Sequence, residues 1–296
     1  MKKQITIYLL ALFGALNGQN ITTNESKESF SSGSQNAIVT TIYESNLDDV
    51  LSAWKKVLKD YKHESVKDSK GQVFADNLLV KEWGNNTIDV YTLFFANKKD
   101  KTVRMATAVD LGGTYLSSGG DKEKYNYFEK LIKEFAIKQT KAPLTELVKD
   151  NEKKLSNLEE DQKDLEKKIE NLKNDITDNK AKISKNETAI AAKEGEIIKK
   201  KAEVDIQKKV VEASSSAVEE QAKASKKIYE KLSDQLADLE KDKRNLKDDI
   251  GKYNDRIKDA EKDIKKTEEK LAEKKTEITK QKTLVEETKK KLDAVK

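Results

Sequence analysis

From Val148 onward, apolar residues recur every seven positions with almost no interruption. One column runs Val148, Leu155, Gln162, Ile169, Ile176, Ile183, Ile190, Ile197, Val204, Val211 and Val218. A second runs Tyr229, Leu236, Lys243, Ile250, Ile257, Ile264, Leu271, Ile278, Val285 and Leu292. A heptad repeat sustained this long specifies a coiled coil and little else. It gives half of the chain to helical packing and leaves that half no room for an enclosed site.

The two columns are out of phase. Counting on from Val218 reaches Ser225, whereas the second column passes through Tyr229. Such a slip is either a stutter in one helix or a reversal of direction. Three features favour reversal. Lys200 to Glu212 is echoed by Lys274 to Glu286 in charge as well as apolar pattern. Glu212 to Ala217 is small and Ser-rich, and Ser216 with Glu219 has the spacing of a capping box that restarts a helix. Folding the chain at Ser214 and Ser215 also stacks like on like. Ile183 then meets Leu246, Ile190 meets Leu239 and Ile197 meets Leu232. Leu172 meets Ile257, Leu165 meets Ile264 and Leu158 meets Leu271. Gln162 faces Thr267 and Asn186 faces Lys243, polar layers of the kind that fix register. The expectation is an antiparallel helical hairpin over 143–296, with arms near 144–213 and 217–296 and a tip near 214–216. Each arm, about 70 residues long, would span on the order of 105 Å. Lys193, Lys200, Asn179 and Lys274 fall in the seam, so it is a polar one.

A globular core belongs to the first half. Both tryptophans and all seven phenylalanines precede the single proline, Pro143. Strands are expected at 37–43, 73–82, 87–96 and 102–111. A helix is expected from Leu47 to Tyr61, capped at Asn46, and a second after Asp121 with Tyr125, Phe128, Leu131, Ile132, Phe135 and Ala136 inward. His63 to Gln72 reads as a polar turn. The fold class is therefore an α+β domain over 36–142, ordered β-α-β-β-β-α, an antiparallel sheet with its helices on one face, followed by the all-α coiled coil.

Residues 1–18 have the layout of a secretory signal peptide: Lys2 and Lys3, an apolar run from Ile5 to Leu16, and small Gly18 at the cleavage edge. Residues 19–35, rich in Asn, Ser, Thr and Gly, read as a flexible leader. The expected location is secreted or periplasmic, with no transmembrane segment in the mature chain. There is no cysteine, hence no disulfide and no lipoprotein anchor.

Chemistry-bearing motifs are few. A net charge of +5 is spread among lysines that alternate with acids, and arginine occurs only at 104, 244 and 256. That pattern excludes a clustered nucleic-acid surface. His63 is the only histidine and has no catalytic or metal-ligating partner near it in sequence. Trp83 and Tyr91 suggest an aromatic platform or simple core packing. The most suggestive stretch is Asp110 to Gly120, where Asp110, Gly112, Gly113, Thr114 and Tyr115 form a candidate ligand loop between strand and helix. It lacks the lysine and hydroxyl ending of a phosphate loop, and a structural turn is the competing reading. No cofactor and no catalytic set is expected.

Asn86 to Tyr91 and Asp110 to Ser117, with the overall layout, resemble uncharacterised bacterial secreted proteins that join a small N-terminal α+β domain to a coiled-coil C-terminal half. The resemblance implies no reaction. The expectation is an exported, non-enzymatic structural or interaction protein, with the α+β domain docking a partner and the coiled coil self-associating or acting as a spacer. Two alternatives stand beside it: a holdase-like periplasmic chaperone that uses the arms, and a ligand-binding or enzymatic α+β domain.

Overall fold

The computed structural model describes residues 20–69, 71–214 and 219–296. The expected signal peptide lies outside the described residues, as do residues 215–218, which hold most of the expected tip and of the capping box. The elements are β1 (Thr23–Phe30), β2 (Gly33–Ile42), α1 (Leu47–Lys59), β3 (Ser65–Ser69), β4 (Gln72–Leu79), a single 3₁₀ turn (Lys81–Trp83), β5 (Thr87–Asn97), β6 (Thr102–Asp110), α2 (Lys122–Ala213) and α3 (Glu219–Asp293). They form an α+β domain and two long helices that pack on one another, the reversal that the heptads and their phase slip favour.

The six strands make one antiparallel sheet in the order β1-β2-β6-β5-β4-β3. Alternation along β5 turns Ile88, Val90, Thr92 and Phe94 to one face, where all four are buried. Val50, Trp54 and Leu58 of α1 and Phe128, Ile132 and Phe135 of α2 cover that face. Threonine is tolerated there because its hydroxyl is used. Trp54 Nε1 donates to Thr92 Oγ1 at 2.9 Å, and Thr92 Oγ1 lies 3.2 Å from Thr107 Oγ1. α1 begins at the expected cap, with the Asn46 side chain accepting from the Asp49 N–H.

Two strands contradict the sequence reading. Residues 23–30, expected within a flexible leader, form β1, and residues 65–69, expected in a turn, form β3. Both are the edges of the sheet. An edge strand needs no apolar face and gains from charge, so sequences such as TNESKESF and SVKDS carry no hydrophobic signal. The β1–β2 hairpin also curls over the second face of the sheet. Ser31 N–H donates to Gln72 Oε1 on β4 at 3.2 Å, and Phe30 packs edge-on to Tyr91 of β5. Beneath it Phe30, Ala37, Val39, Ala106 and Ala108 form a small second core.

Pro143 does not divide the chain. It lies inside α2. A proline lacks the N–H that would bond the carbonyl four residues back, here that of Gln139. Ser45 Oγ donates to that freed carbonyl at 2.9 Å, and Tyr43 N–H donates to the neighbouring Thr140 Oγ1 at 3.1 Å. The loop after β2 thus supplies the donor that the proline removes.

The boundary expected at 142/143 is corrected accordingly. One compact unit comprises the residues up to Ser156 together with Lys280–Lys296; the other is Asn157–Thr279. In the first unit Val295 is 1% exposed within the main core, and the Ile21 N–H donates to the Lys296 carbonyl. There, too, Gln281 Nε2 donates to both the backbone and side-chain oxygens of Asn151, at 3.0 and 3.2 Å.

In the second unit the arms are antiparallel, but about one heptad out of the expected register. A fold at Ser214 and Ser215 places Lys200 opposite Tyr229 and Lys193 opposite Leu236. Instead Lys200 Nζ donates to Gln235 at 3.2 Å, Lys193 pairs with Asp242 at 3.3 Å, and Lys243 pairs with Glu194 rather than facing Asn186. The expected layers shift with them: Ile190, not Ile183, comes level with Leu246, and Leu165 level with Leu271. A slide of one heptad preserves every apolar match, so apolar periodicity cannot choose between the two.

Candidate functional site

The loop after β6 was the strongest sequence candidate, and its geometry is closed on itself. Gly112 and Gly113 have φ of 96° and 99°, a region that favours glycine, and their N–H groups converge on one acceptor. The occupant of that cradle is Asp110. Its Oδ1 accepts from Gly112 N–H at 3.0 Å and from Gly113 N–H at 2.6 Å. Leu111 N–H donates to the Thr114 carbonyl, and Leu116 N–H returns to the Val109 carbonyl. Tyr115 bridges back to Asp110 and donates its hydroxyl to Ser32 Oγ at 3.1 Å. The five residues Asp110, Gly112, Gly113, Thr114 and Tyr115 are therefore brought together, but as a turn whose anion is its own carboxylate.

The following segment is tied down as well. Ser118 N–H donates to Glu25 on β1, and the Asn36 side chain donates to the Leu116 carbonyl and to Glu25. Hydrogen bonding to Ser118, above all, and to Asn36 holds the Glu25 carboxyl below its ordinary range, against the opposing effect of burial. Asp121 then caps α2 by accepting from the Lys124 N–H at 3.1 Å.

Trp83 and Tyr91 are not a platform. Trp83 packs against Tyr127 and Phe128 on the helix-covered face, with Lys124 Nζ 5.4 Å from its ring centre. Tyr91 lies on the other face, stacked on Phe74 at 4.7 Å. Burial raises its phenol above the ordinary value.

His63 lines a shallow polar cleft of ≈ 400 Å³ with Lys62, Glu64, Asn77, Leu79, Asn85 and Thr87. Its Nδ1 donates to the Tyr61 carbonyl at 2.7 Å. The cleft forms where β4 bulges at Asn77, whose φ is 54°. Asn77 is satisfied by Asp89, Glu64 and Thr87. An Asn inside an otherwise strand-like run was the sequence signal for this bulge. Among the described residues no group of three or more His, Cys, Asp or Glu is placed to hold a metal ion.

The helical hairpin offers surface instead. Leu158, Leu165, Leu172, Ile183, Ile190, Ile197, Leu232, Leu239, Leu246, Ile257, Ile264 and Leu271 occupy the apolar heptad positions of the two arms. Ile197 is buried and the other eleven are only half-buried, because two helices cannot close over their own seam. Between Lys193 and Lys200 the seam is bordered by ion pairs to Asp242, Glu196 and Glu203. Away from it Ile198 is 70% exposed and Ile206 64%. No described helix is long and apolar enough to cross a membrane.

Set against protein-family models, curated proteins and solved structures, the chain matches none.

Proposed function

We propose that this chain is an exported, non-enzymatic interaction protein, with the paired helices as its associating element and the α+β domain as a docking module. The observation that carries the reading is the half-open seam, together with large apolar side chains left on the outside of a highly charged hairpin. Isolated pairs of helices bury too little to explain such a surface, and association supplies the rest of the burial. The self-filled Asp110 turn weighs against the ligand-loop alternative. The layout of residues 1–18 supports export and cleavage near Gly18.

The test is crosslinking in the native envelope followed by purification under denaturing conditions. A discrete crosslinked complex is the expected outcome. A mature chain that stays monomeric and captures nothing removes the reading.

The exposed isoleucines also suit the holdase alternative, in which the arms grip unfolded clients. Suppression of a model client's aggregation at equimolar chain separates the two: an interaction protein with a fixed partner leaves aggregation unchanged.

A further inference from the structure

We infer that the outer face of α2 around Ala202 is a self-recognition surface, on which a second copy of this chain docks end for end. This inference rests on the proposed function and names the partner of its associating element.

At 100° per residue, Gly195, Ile198, Ala202, Ile206 and Lys209 fall within an arc of about 80° on α2. The residues that contact α3, Lys193, Lys200 and Gln207, lie on the opposite side. Among the described residues nothing covers the stripe, and Ile198 and Ile206 are among the most exposed large apolar side chains. Gly195 is unfavourable in a helix interior, yet a Cβ placed there would meet nothing within 4 Å. Packing among the described residues gives no reason for it.

The occupant follows from charge. Turn a second copy end for end about a twofold axis at Ala202. Ile198 then lies level with the partner copy's equivalent of Ile206, and Ala202 faces itself. The rotation keeps each flank of the stripe on its own side, so Lys199 comes beside the position of Glu203 on one flank, and Lys201 beside that of Asp205 on the other. On each flank the two helices carry opposite charges. Gly195 comes level with the position of Lys209, a long side chain that needs the space a glycine leaves. A surface that is complementary to itself under a twofold rotation is the defining property of an isologous interface. A foreign helix would have to reproduce this alternation, whereas a second copy has it by construction. Lys201 and Glu203 also hold Glu240 and Lys200, at 3.1 and 2.6 Å, in exposed pairs that water screens and a partner can share.

Sedimentation equilibrium on the full mature chain tests this. The wild type is expected to show a reversible monomer–dimer equilibrium. Ile198→Lys with Ile206→Lys should leave it monomeric at every concentration, with helicity unchanged by circular dichroism. Two charge variants make the test specific. Lys199→Glu with Lys201→Glu makes both of these flanking pairs acidic, and Glu203→Lys with Asp205→Lys makes both basic. Each variant alone should be monomeric, and an equimolar mixture should dimerise. A monomeric wild type, or a dimer indifferent to these changes, overturns the inference. A monomeric wild type that still yields a crosslinked foreign complex overturns the dimer alone. One that suppresses aggregation instead also overturns the dimer, and favours the holdase reading.

Discussion

The backbone N–H of Ile21 donates to the carbonyl oxygen of Lys296 at 2.9 Å, joining residues 275 positions apart in sequence. Beside this bond Ile21 is fully buried and Val295 is 1% exposed in the same core. The α+β domain is therefore completed by the last residues of α3 and the turn that follows it. Replacing Val295 by Asp should destabilise the domain severely, by burying an unpaired charge. Val295→Ala should cost about 1–3 kcal/mol. Urea denaturation followed by the fluorescence of Trp54 and Trp83 measures both. A fragment ending before Lys280 should lose cooperative unfolding.

Ser45 and Pro143 should be energetically coupled although they do not bond to each other. Ser45→Ala leaves the Gln139 carbonyl without its donor and should cost about 1 kcal/mol. In a Pro143→Ala background the helix supplies its own N–H, so the same substitution should cost much less. A double-mutant cycle reads the difference, and additive effects would show that the hydroxyl does not replace the missing amide.

Asn151 and Gln281 should set the register where the two helices pack in the first unit. Asn151 is 9% exposed and Gln281 5%. Gln281→Leu alone leaves the Asn151 side chain short of a partner, and should cost about 1–3 kcal/mol. Replacing both by Leu should recover that stability while permitting other alignments. Broadened amide signals at Thr288 and Lys289 are the expected sign in nuclear magnetic resonance spectra.

The β1–β2 hairpin should loosen in acid. Hydrogen bonding to Arg104 holds the Glu28 carboxyl below its ordinary value of 4.5, and Ser118 does the same for Glu25. Groups with lowered folded pKa values contribute stability that is complete above the unfolded value and lost as pH falls through the folded one. Hydrogen exchange of Ser26 to Ser29 should therefore accelerate below pH 4.5, after correction for intrinsic rates, before the helix-covered core opens. Glu28→Gln should remove part of this pH dependence. Unchanged protection down to the acid limit would contradict it.

Substituting Asp110 should act on stability alone. Asp110→Ala empties the cradle formed by Gly112 and Gly113, at a cost of about 1–3 kcal/mol. Thermal melting checks the cost. Anion-dependent stabilisation of the variant, absent in the wild type, would show that a free anion takes over the place of the carboxylate.

What the sequence made legible follows one physical line. Periodicity is strong where a face is buried, so β5, β6, α1 and both arms were readable from residues such as Val90, Trp54 and Ile197. It vanishes at sheet edges, which hid β1 and β3. The continuity of α2 through Pro143 depended on Ser45, nearly a hundred positions away, which no local pattern reveals. The register of the arms was ambiguous by one heptad for the same reason that the arms were recognisable. As for the site, the five loop residues were found and their spacing was informative. That Asp110 fills its own turn depends on side-chain direction, which spacing does not give.

The fold-back of α3 on α2 carries the whole account, and one distance tests it. The chain has no cysteine, so Lys193→Cys with Asp242→Cys admits two spin labels and no others. Helices packed side by side keep their axes about 8–10 Å apart. Pulsed dipolar spectroscopy should therefore find a label separation of about 20 Å or less within one chain, when labelled chains are diluted with unlabelled ones. A single continuous helix would place these positions about 74 Å apart, and a distance of that order would contradict the hairpin.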